Sequence, residues 1–343
     1  MEKPTAPLKT QLSLRSIAQK ARNQNADQAS PRNKGIYSAL VSAFFLGLAP
    51  IFGKQAILLG VAPVAVAAIR TLLAALLLLF IMLNFSRRYL YIYPAGLFGC
   101  VLAGVINGIG SLFYYSALSR LDAGVGQLLY SLYPIFLVIW LTLDKQSPGR
   151  LTLVRVVLAF PAVFLLTQTS DGTTDWVGVL QMLIASALYA LHIPINQRVL
   201  YEMPAQTVTM YTLLAMSIVV VPAFFLSGSQ FNPQDNQAWA PIIALTMVTF
   251  FSRITLFMGV KHIGGMQTAL LGLSELLVTL VFAHAWLGES MSVQQWVGAI
   301  LLVINLLLVF IDKSPPTKHS NGGWFAWINP PSLSTHWPWQ PHN

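Results

Sequence analysis

The feature that most constrains this chain is a series of ten apolar segments, each about as long as the hydrocarbon core of a bilayer is thick. An α-helix needs about 20 mostly apolar residues to cross roughly 30 Å of hydrocarbon. We therefore predict an all-α integral membrane protein with ten transmembrane helices. The predicted spans are 36–59, 64–83, 94–118, 123–143, 150–167, 176–199, 205–227, 239–260, 265–287 and 293–311.

The composition favours a membrane protein over a soluble one. Of the 343 residues, 55% are hydrophobic and 9% are charged, whereas soluble domains contain about 25% charged residues. The net charge of +9 is concentrated before the first span. Basic residues beside a span are typical of a cytoplasmic flank, and the tail lacks the interleaved aromatic residues of a nucleic-acid-binding segment. The single cysteine, Cys100, lies within a span, which excludes a disulfide framework.

The distribution of basic residues predicts the orientation of the chain. With the N-terminus inside, the inner side collects the basic tail and most other lysines and arginines beside the spans, whereas the outer loops hold only Arg120. We therefore expect both termini in the cytoplasm and the chain in a plasma or inner membrane. Residues 1–35 predict a disordered basic cytoplasmic tail, with a transit peptide as the alternative. Residues 312–343 predict a flexible Pro- and Trp-rich C-terminal tail.

The spans form two similar sets of five. Residues 116–121 match 258–263, and Leu128 matches Leu270, at a common offset of about 141–143 residues. A five-helix unit enters on one side of the membrane and leaves on the other, so its duplicate must be inverted. We predict a first repeat over 36–167 and a second over 176–311. Inverted repeats of this kind are typical of secondary transporters.

Ionisable residues within a span are costly and therefore indicate function. Glu275 lies in the middle of the ninth span, and Arg253 lies at similar depth in the eighth, on helices joined by a short turn. We expect an ion pair that either only neutralises the two charges or gates the pathway, with Glu275 as the candidate proton carrier. Lys54 and Arg70 lie in the outer half of the first two spans. They either extend to the outer interface or bind an anionic group of a substrate.

Polar stripes on three further helices supply candidate substrate-binding residues. Side chains three or four positions apart share one face of a helix, and polar faces are unfavourable toward lipid. The stripes therefore predict either a cavity or hydrogen bonds between helices. The candidates are Asn107 and Tyr114 on the third span, Gln127 and Tyr130 on the fourth, and Tyr189 and His192 on the sixth.

Three stretches carry a family resemblance that covers residues 36–311. They are 70–75, which begins Arg-Thr-Leu; 117–134, from Ala-Leu to Pro134; and Leu273-Ser274-Glu275 together with Leu287-Gly288-Glu289. These stretches resemble the drug/metabolite transporter superfamily in its EamA-type, ten-helix branch. Two positions depart from the family pattern. Leu276 replaces the usual proline, and residues 144–146 replace the Gly-Glu of the first repeat.

The resemblance implies a secondary active transporter, an exporter of a small polar metabolite such as an amino acid, with alternating access between the repeats. A nucleotide-sugar or sugar-phosphate exchanger is the alternative, and a membrane-embedded enzyme is a remote one. The chain has no G-x-x-x-x-G-K-[ST] loop for a nucleotide, so a gradient must supply the energy. We expect no enzymatic activity, cofactor, metal or nucleic acid. The expected partners are a small-molecule substrate, the lipid bilayer and protons, and the expected state is a monomer or homodimer.

Overall fold

The computed structural model describes residues 8–143, 150–166, 175–228 and 236–288, and some helical positions between 293 and 308. The described part is helical. Its α-helices are α1 Leu8–Leu58, α2 Pro63–Phe85, α3 Pro94–Arg120, α4 Ala123–Tyr130, α5 Tyr133–Leu143, α6 Arg150–Leu166, α7 Trp176–Leu200, α8 Ala205–Leu226, α9 Trp239–Ile263, α10 Gly265–Gly272 and α11 Ser274–Leu287. Short 3-10 helices at Arg87–Leu90 and Asn236–Ala238 lead into α3 and α9.

Eight segments of the described chain are long and apolar enough to cross a membrane. They correspond to the predicted spans one to four and six to nine, with ends that differ by a few residues. The predicted fifth span corresponds to α6, which has only 17 residues. The predicted tenth span, 293–311, lies largely outside the described residues. The structure therefore supports eight of the ten predicted spans.

The helix ends follow local sequence signals. Pro63 and Pro94 occupy the first turns of α2 and α3, where a missing N–H costs no helical hydrogen bond. The Asp175 carboxylate caps α7 by accepting from the Val177 and Gly178 N–H groups at 2.9 and 3.1 Å. The Gly178 bond, followed by a hydrogen bond from Arg120, lowers the pKa of Asp175. Gly264, with φ of +83°, provides the turn between α9 and α10.

The first helix begins much earlier than the first predicted span. α1 starts at Leu8, within the segment that the sequence predicts as a disordered tail. Alanine, glutamine, lysine and arginine are frequent in this segment, and they are among the better helix formers. The part of α1 that is apolar enough to span a membrane is 31–58.

The predicted fourth and ninth spans are not continuous helices, which corrects the sequence prediction. The fourth divides into α4 and α5 at Ser131-Leu132, and the ninth divides into α10 and α11 at Leu273. Pro134 explains the first break because its nitrogen cannot donate to the Tyr130 carbonyl. The Ser186 hydroxyl of α7 donates to that carbonyl oxygen instead, at 2.8 Å.

The second break has no proline. The Leu273 N–H is directed to the Leu271 carbonyl, and the Tyr133 hydroxyl donates to the Ala269 carbonyl oxygen at 2.8 Å. At each break, a side-chain hydroxyl of the other repeat therefore donates a hydrogen bond to a backbone carbonyl oxygen near the break. Broken helices at matching positions of two repeats often mark the binding site of a carrier.

The two repeats pack against each other through matching pairs of helices. α1 of the first repeat packs on α9 of the second, and α7 packs on α3 in the same way. α2 and α8, which match each other, are also in contact. This reciprocal pattern indicates an approximate two-fold relation between the repeats. Helices approach closely at Gly47 and Gly104, which leaves no room for a side chain. A Cβ atom added to Gly47 would lie 2.5 Å from the Glu275 carbonyl oxygen, and one added to Gly104 would lie 2.5 Å from the Ala215 Cβ atom.

The outside of the bundle is more apolar than the surface of a soluble protein. Large apolar side chains such as Phe80, Ile218 and Phe225 are exposed there. Every polar stripe residue that the sequence singles out as a candidate on α3, α4 and α7 is buried or half-buried. An apolar exterior with polar side chains kept inside is the arrangement of a multi-pass membrane protein.

Candidate substrate-binding cavity

A polar cavity of about 40 Å³ lies between the two repeats. Its wall comes from α1, α2, α3, α4, α9 and α11. A single water occupies 10–15 Å³ on the same measure, so the cavity holds only a few water molecules. The lining residues are Leu46, Ala49, Arg70, Asn107, Gly110, Ser111, Tyr114, Tyr115, Gln127, Tyr130, Arg253 and Glu275.

The cavity contains matching positions of both repeats. At the repeat offset of 142 residues, Ser111 on α3 matches Arg253 on α9, and both line the cavity. Gln127 matches Ala269, and Tyr133 matches Glu275. The lining residues include both members of the first pair, and Gln127 and Glu275 of the other two. At the matched positions, the second repeat has a cation and a carboxyl group where the first has hydroxyl groups.

Arg70 projects from α2 into the cavity wall and is only 7% exposed. Its two terminal nitrogens donate to the Thr249 hydroxyl at 3.0 Å and to the Ser111 hydroxyl at 2.7 Å. The guanidinium carbon lies 4.7 Å from the centre of the Tyr115 ring, a cation–π distance. The Nε atom is buried without a partner among the described residues. Arg70 is thus held in place with one donor still available.

Arg253 of α9 also lines the cavity and is 6% exposed. With the Asn107 amide turned so that its oxygen faces α9, that oxygen accepts from both terminal nitrogens of Arg253 at 3.1 and 3.2 Å. The guanidinium carbon is 5.6 Å from the centre of the Tyr189 ring. These contacts hold Arg253 between the α3 and α7 helices.

Glu275 is 1% exposed, in the first turn of α11 directly after the helix break. Its carboxyl group faces Gln127 and the cavity. The Oε1 atom has no hydrogen-bond partner among the described residues. The N-terminus of a helix stabilises a negative charge through its free N–H groups and its dipole. The break between α10 and α11 therefore places such an N-terminus beside the cavity.

The direct ion pair expected between Arg253 and Glu275 is not formed. No Arg253 nitrogen lies within 4.0 Å of a Glu275 oxygen, whereas Arg120 and Asp175 do form an ion pair, at 3.1 Å. The reason is that Asn107 and Tyr189 hold the Arg253 guanidinium toward α3 and α7. Arg253 and Glu275 nevertheless line the same cavity, so a bound molecule can contact both.

Four tyrosines and one histidine form a continuous aromatic row beside the cavity. The Tyr114 hydroxyl donates to the Gln127 Oε1 atom at 3.1 Å. Ring centres are 4.9 Å apart for Tyr114 and Tyr130, and 5.1 Å apart for Tyr130 and Tyr189. Tyr133 packs edge-on against Tyr189. His192 stacks beyond Tyr189 at 4.8 Å and contacts the Tyr189 carbonyl oxygen.

The structure thus brings seven of the ten sequence candidates to the cavity wall and places three elsewhere. Tyr189 and His192 lie directly behind the wall, in the aromatic row. Lys54 is in a different place. Its ammonium group donates to the Leu118 and Leu121 carbonyl oxygens at 3.0 and 2.8 Å, at the end of α3.

Sequence reasoning placed Ser111 on the face of Asn107 and Thr249 on the face of Arg253, and it missed two other residues. Tyr115 lies at four-residue spacing from Ser111, so the same stripe contained the signal. Tyr133 acts through a contact between repeats, for which the local sequence gives no signal. Within the described residues, no three His, Cys, Asp or Glu side chains are grouped so that they could hold a metal ion.

Comparisons with known proteins agree with this arrangement. Residues 33–168 and 176–311 each match the EamA-like transporter family. The uncharacterized inner membrane transporter YicL of Salmonella typhimurium is 21% identical over 206 residues, which are 59% of this chain and 69% of that protein. A protein of known crystal structure superimposes with a TM-score of 0.63 at 17% identity, over 82% of this chain and 97% of that one. The last likeness concerns the fold alone.

Proposed function

Because the chain belongs to the EamA-like transporter family, it is a membrane transporter and not an enzyme, and we propose that it carries a small polar metabolite with an anionic group. The transport route is the cavity between the two repeats. The metabolite is an amino acid or a related compound, and the direction is export from the cytoplasm. YicL is named an inner membrane transporter, which supports the same location for this chain.

The observation that carries the proposal is the pair of buried arginines that line one cavity. Buried cations require a partner, since an unpaired charge in a low-dielectric region is costly. The single carboxyl group of the cavity, Glu275, contacts neither arginine directly. With Glu275 charged, the three groups leave one net positive charge. A carboxylate or phosphate group of the substrate would provide the missing partner.

The cavity volume supports alternating access. At about 40 Å³ the cavity is too small for an amino acid, so the substrate does not fit in this conformation. Substrate entry then requires one end of the bundle to open. Two repeats with a two-fold relation provide two equivalent ways of opening, one toward each side of the membrane.

Glu275 is the proposed proton-coupling residue. The Glu275 Oε1 atom is buried without a hydrogen-bond partner among the described residues. Burying a carboxylate oxygen in this way is costly, and protonation reduces that cost. When the anionic group of a substrate occupies the arginines, the balance shifts toward a neutral Glu275. Proton and substrate would then alternate at one site, and a proton gradient would drive transport.

A nucleotide-sugar or sugar-phosphate exchanger is the second candidate, because two arginines also suit a phosphate group. The two candidates differ in the compound that is transported. The test is uptake into proteoliposomes of the purified chain, screened over amino acids, organic anions and nucleotide sugars, with and without a pH gradient.

The expected result is saturable uptake of an amino acid or related carboxylate that increases with the gradient. A matched Arg70→Gln variant should lose that uptake, whereas Arg87→Gln, exposed at the end of α2, should keep it. Saturable uptake of nucleotide sugars alone would favour the second candidate. Uptake of cations only, without effect of Arg70→Gln, would contradict the proposal.

A further inference from the structure

Side-chain contacts with turn backbones occur at both ends of the bundle, on opposite sides of the cavity. At one end, Lys54 near the end of α1 donates to the Leu118 and Leu121 carbonyl oxygens. At the other end, Lys261 in the last turn of α9 donates to the Met203 carbonyl oxygen at 2.7 Å. Gln197 of α7 reinforces the second end by accepting from the Gly265 N–H at 2.9 Å.

The two sets of contacts join the same pair of elements in the two repeats. Lys54 connects the end of α1 to the turn between α3 and α4. Lys261 connects the last turn of α9 to the turn between α7 and α8. Gln197 connects the end of α7 to the turn between α9 and α10. Gln197 also matches Lys54 at an offset of 143 residues, one of the offsets that relate the repeats. The contacts are therefore counterparts in the two-fold relation.

The Lys54 contacts and the Lys261 contact lie at opposite ends of the helix bundle. On α1, the cavity residue Ala49 precedes Lys54 by about 7 Å along the helix, and on α9, Arg253 precedes Lys261 by about 12 Å. Arg120 beside the first turn contacts Asp175 at the start of α7. Thr207 at the start of α8, beside the second turn, donates to the Tyr89 carbonyl oxygen. By the predicted topology, Lys54 lies at the outer end and Lys261 at the inner end.

Both sets of contacts are formed in this conformation, in which the cavity is too small for an amino acid. We propose that Lys54 is the outer latch and Lys261 with Gln197 the inner latch of the transport cycle, and that each breaks when its own end opens. This inference rests on the proposed function, since a latch has meaning only in a carrier that opens at both ends. It assigns Lys54 to the gate and not to the substrate.

A purely structural role makes a different prediction. The last four carbonyl groups of a helix lack helical partners, and Lys54 supplies one for α3. If capping were its whole role, Lys54→Met would lower stability without favouring one side of the membrane. A latch variant should instead favour opening at its own end, and the two variants should act in opposite directions.

The experiment measures access to the cavity from each side. Ala49→Cys, on the cavity wall, is introduced with Cys100→Ala, which removes the single native cysteine. A membrane-impermeant maleimide labels vesicles of both orientations without substrate. Loss of a hydrogen bond to a charged group changes a conformational equilibrium by about tenfold or more. Lys54→Met should raise outer labelling about tenfold and lower inner labelling. Lys261→Met should do the reverse.

Conservative and distant variants serve as controls. Lys54→Arg keeps a donor at the position and should label like the parent, as should Arg88→Met on the exposed surface. If Lys54→Met is not recovered folded, Lys54→Gln should shift labelling in the same direction. Shifts of both lysine variants toward the same side, or unchanged labelling in folded protein, would overturn the inference. Labelling needs no substrate, so a failed transport screen and a failed latch are separate results.

Discussion

The Tyr133 hydroxyl of the first repeat donates a 2.8 Å hydrogen bond to the Ala269 carbonyl oxygen of the second. The Ala269 carbonyl lies one turn before the α10–α11 break, and a hydroxyl group from the partner repeat satisfies it. Gly272 follows on the same helix, and a Cβ atom added to it would lie 2.0 Å from the Tyr133 hydroxyl oxygen. The broken helix therefore depends on a contact between repeats.

We expect Tyr133→Phe to destabilise the protein by about 0.5–1.5 kcal/mol, the usual net value of one hydrogen bond. The ring and its packing against Tyr189 remain, so the effect reports the hydroxyl. Thermal unfolding in detergent gives the measurement. Tyr37→Phe, at an exposed position of α1, is the control and should not change the unfolding temperature. Equal unfolding temperatures for both variants would show that the bond contributes nothing.

Arg70→Gln and Arg253→Gln should each raise the KM for the transported compound by tenfold or more, because a charge-assisted contact to its anionic group is lost. Lys54→Met should change KM less than either, since its ammonium group binds backbone carbonyl oxygens away from the cavity. Initial-rate uptake over a range of concentrations distinguishes the three variants. A larger KM effect at Lys54 than at Arg70 would return Lys54 to the substrate site.

Glu275→Gln should abolish the stimulation of transport by a pH gradient while sparing counterflow, which needs no net movement of protons. The amide keeps the size of the carboxyl group and removes its proton exchange. The measurement compares gradient-driven uptake with exchange of labelled for unlabelled substrate in the same vesicles. Full gradient dependence in this variant would exclude Glu275 as the proton carrier.

The predicted orientation places Ser119 outside and Arg88 inside. In the Cys100→Ala background, a cysteine at Ser119 should react with an impermeant maleimide in intact cells. A cysteine at Arg88 should react only after permeabilisation. Both positions are exposed at helix ends. Labelling of Arg88→Cys in intact cells would reverse the topology.

Much of the architecture could be predicted from the sequence, because hydrocarbon permits few backbone structures. Span ends, the repeat and the seven cavity residues all follow from apolar runs and helical spacing. The two helix breaks did not follow. Pro134 gave a local signal at the first, but Leu276 replaces the expected proline near the second, where the Tyr133 hydroxyl of the other repeat donates to the Ala269 carbonyl oxygen.

The side-chain contacts in the cavity were harder to predict from the sequence, for a related reason. Depth along a helix predicted that Arg253 and Glu275 would be neighbours, and they do line one cavity. Depth does not give the direction of a side chain, and Asn107 holds Arg253 away from Glu275. The position of Lys54 shows the same limit of reasoning from depth along a helix. The sequence shows a cation within a span but not the carbonyl oxygens at the end of α3 that bind it.

Tyr133 and Glu275 occupy the same position in the two repeats, and their side chains differ in charge and in proton exchange. A carrier with identical halves would have inward-facing and outward-facing forms of equal energy and would bind its substrate equally well from both sides. The divergence at this one position removes that equality. The two faces of the protein should therefore differ in apparent affinity for the transported compound.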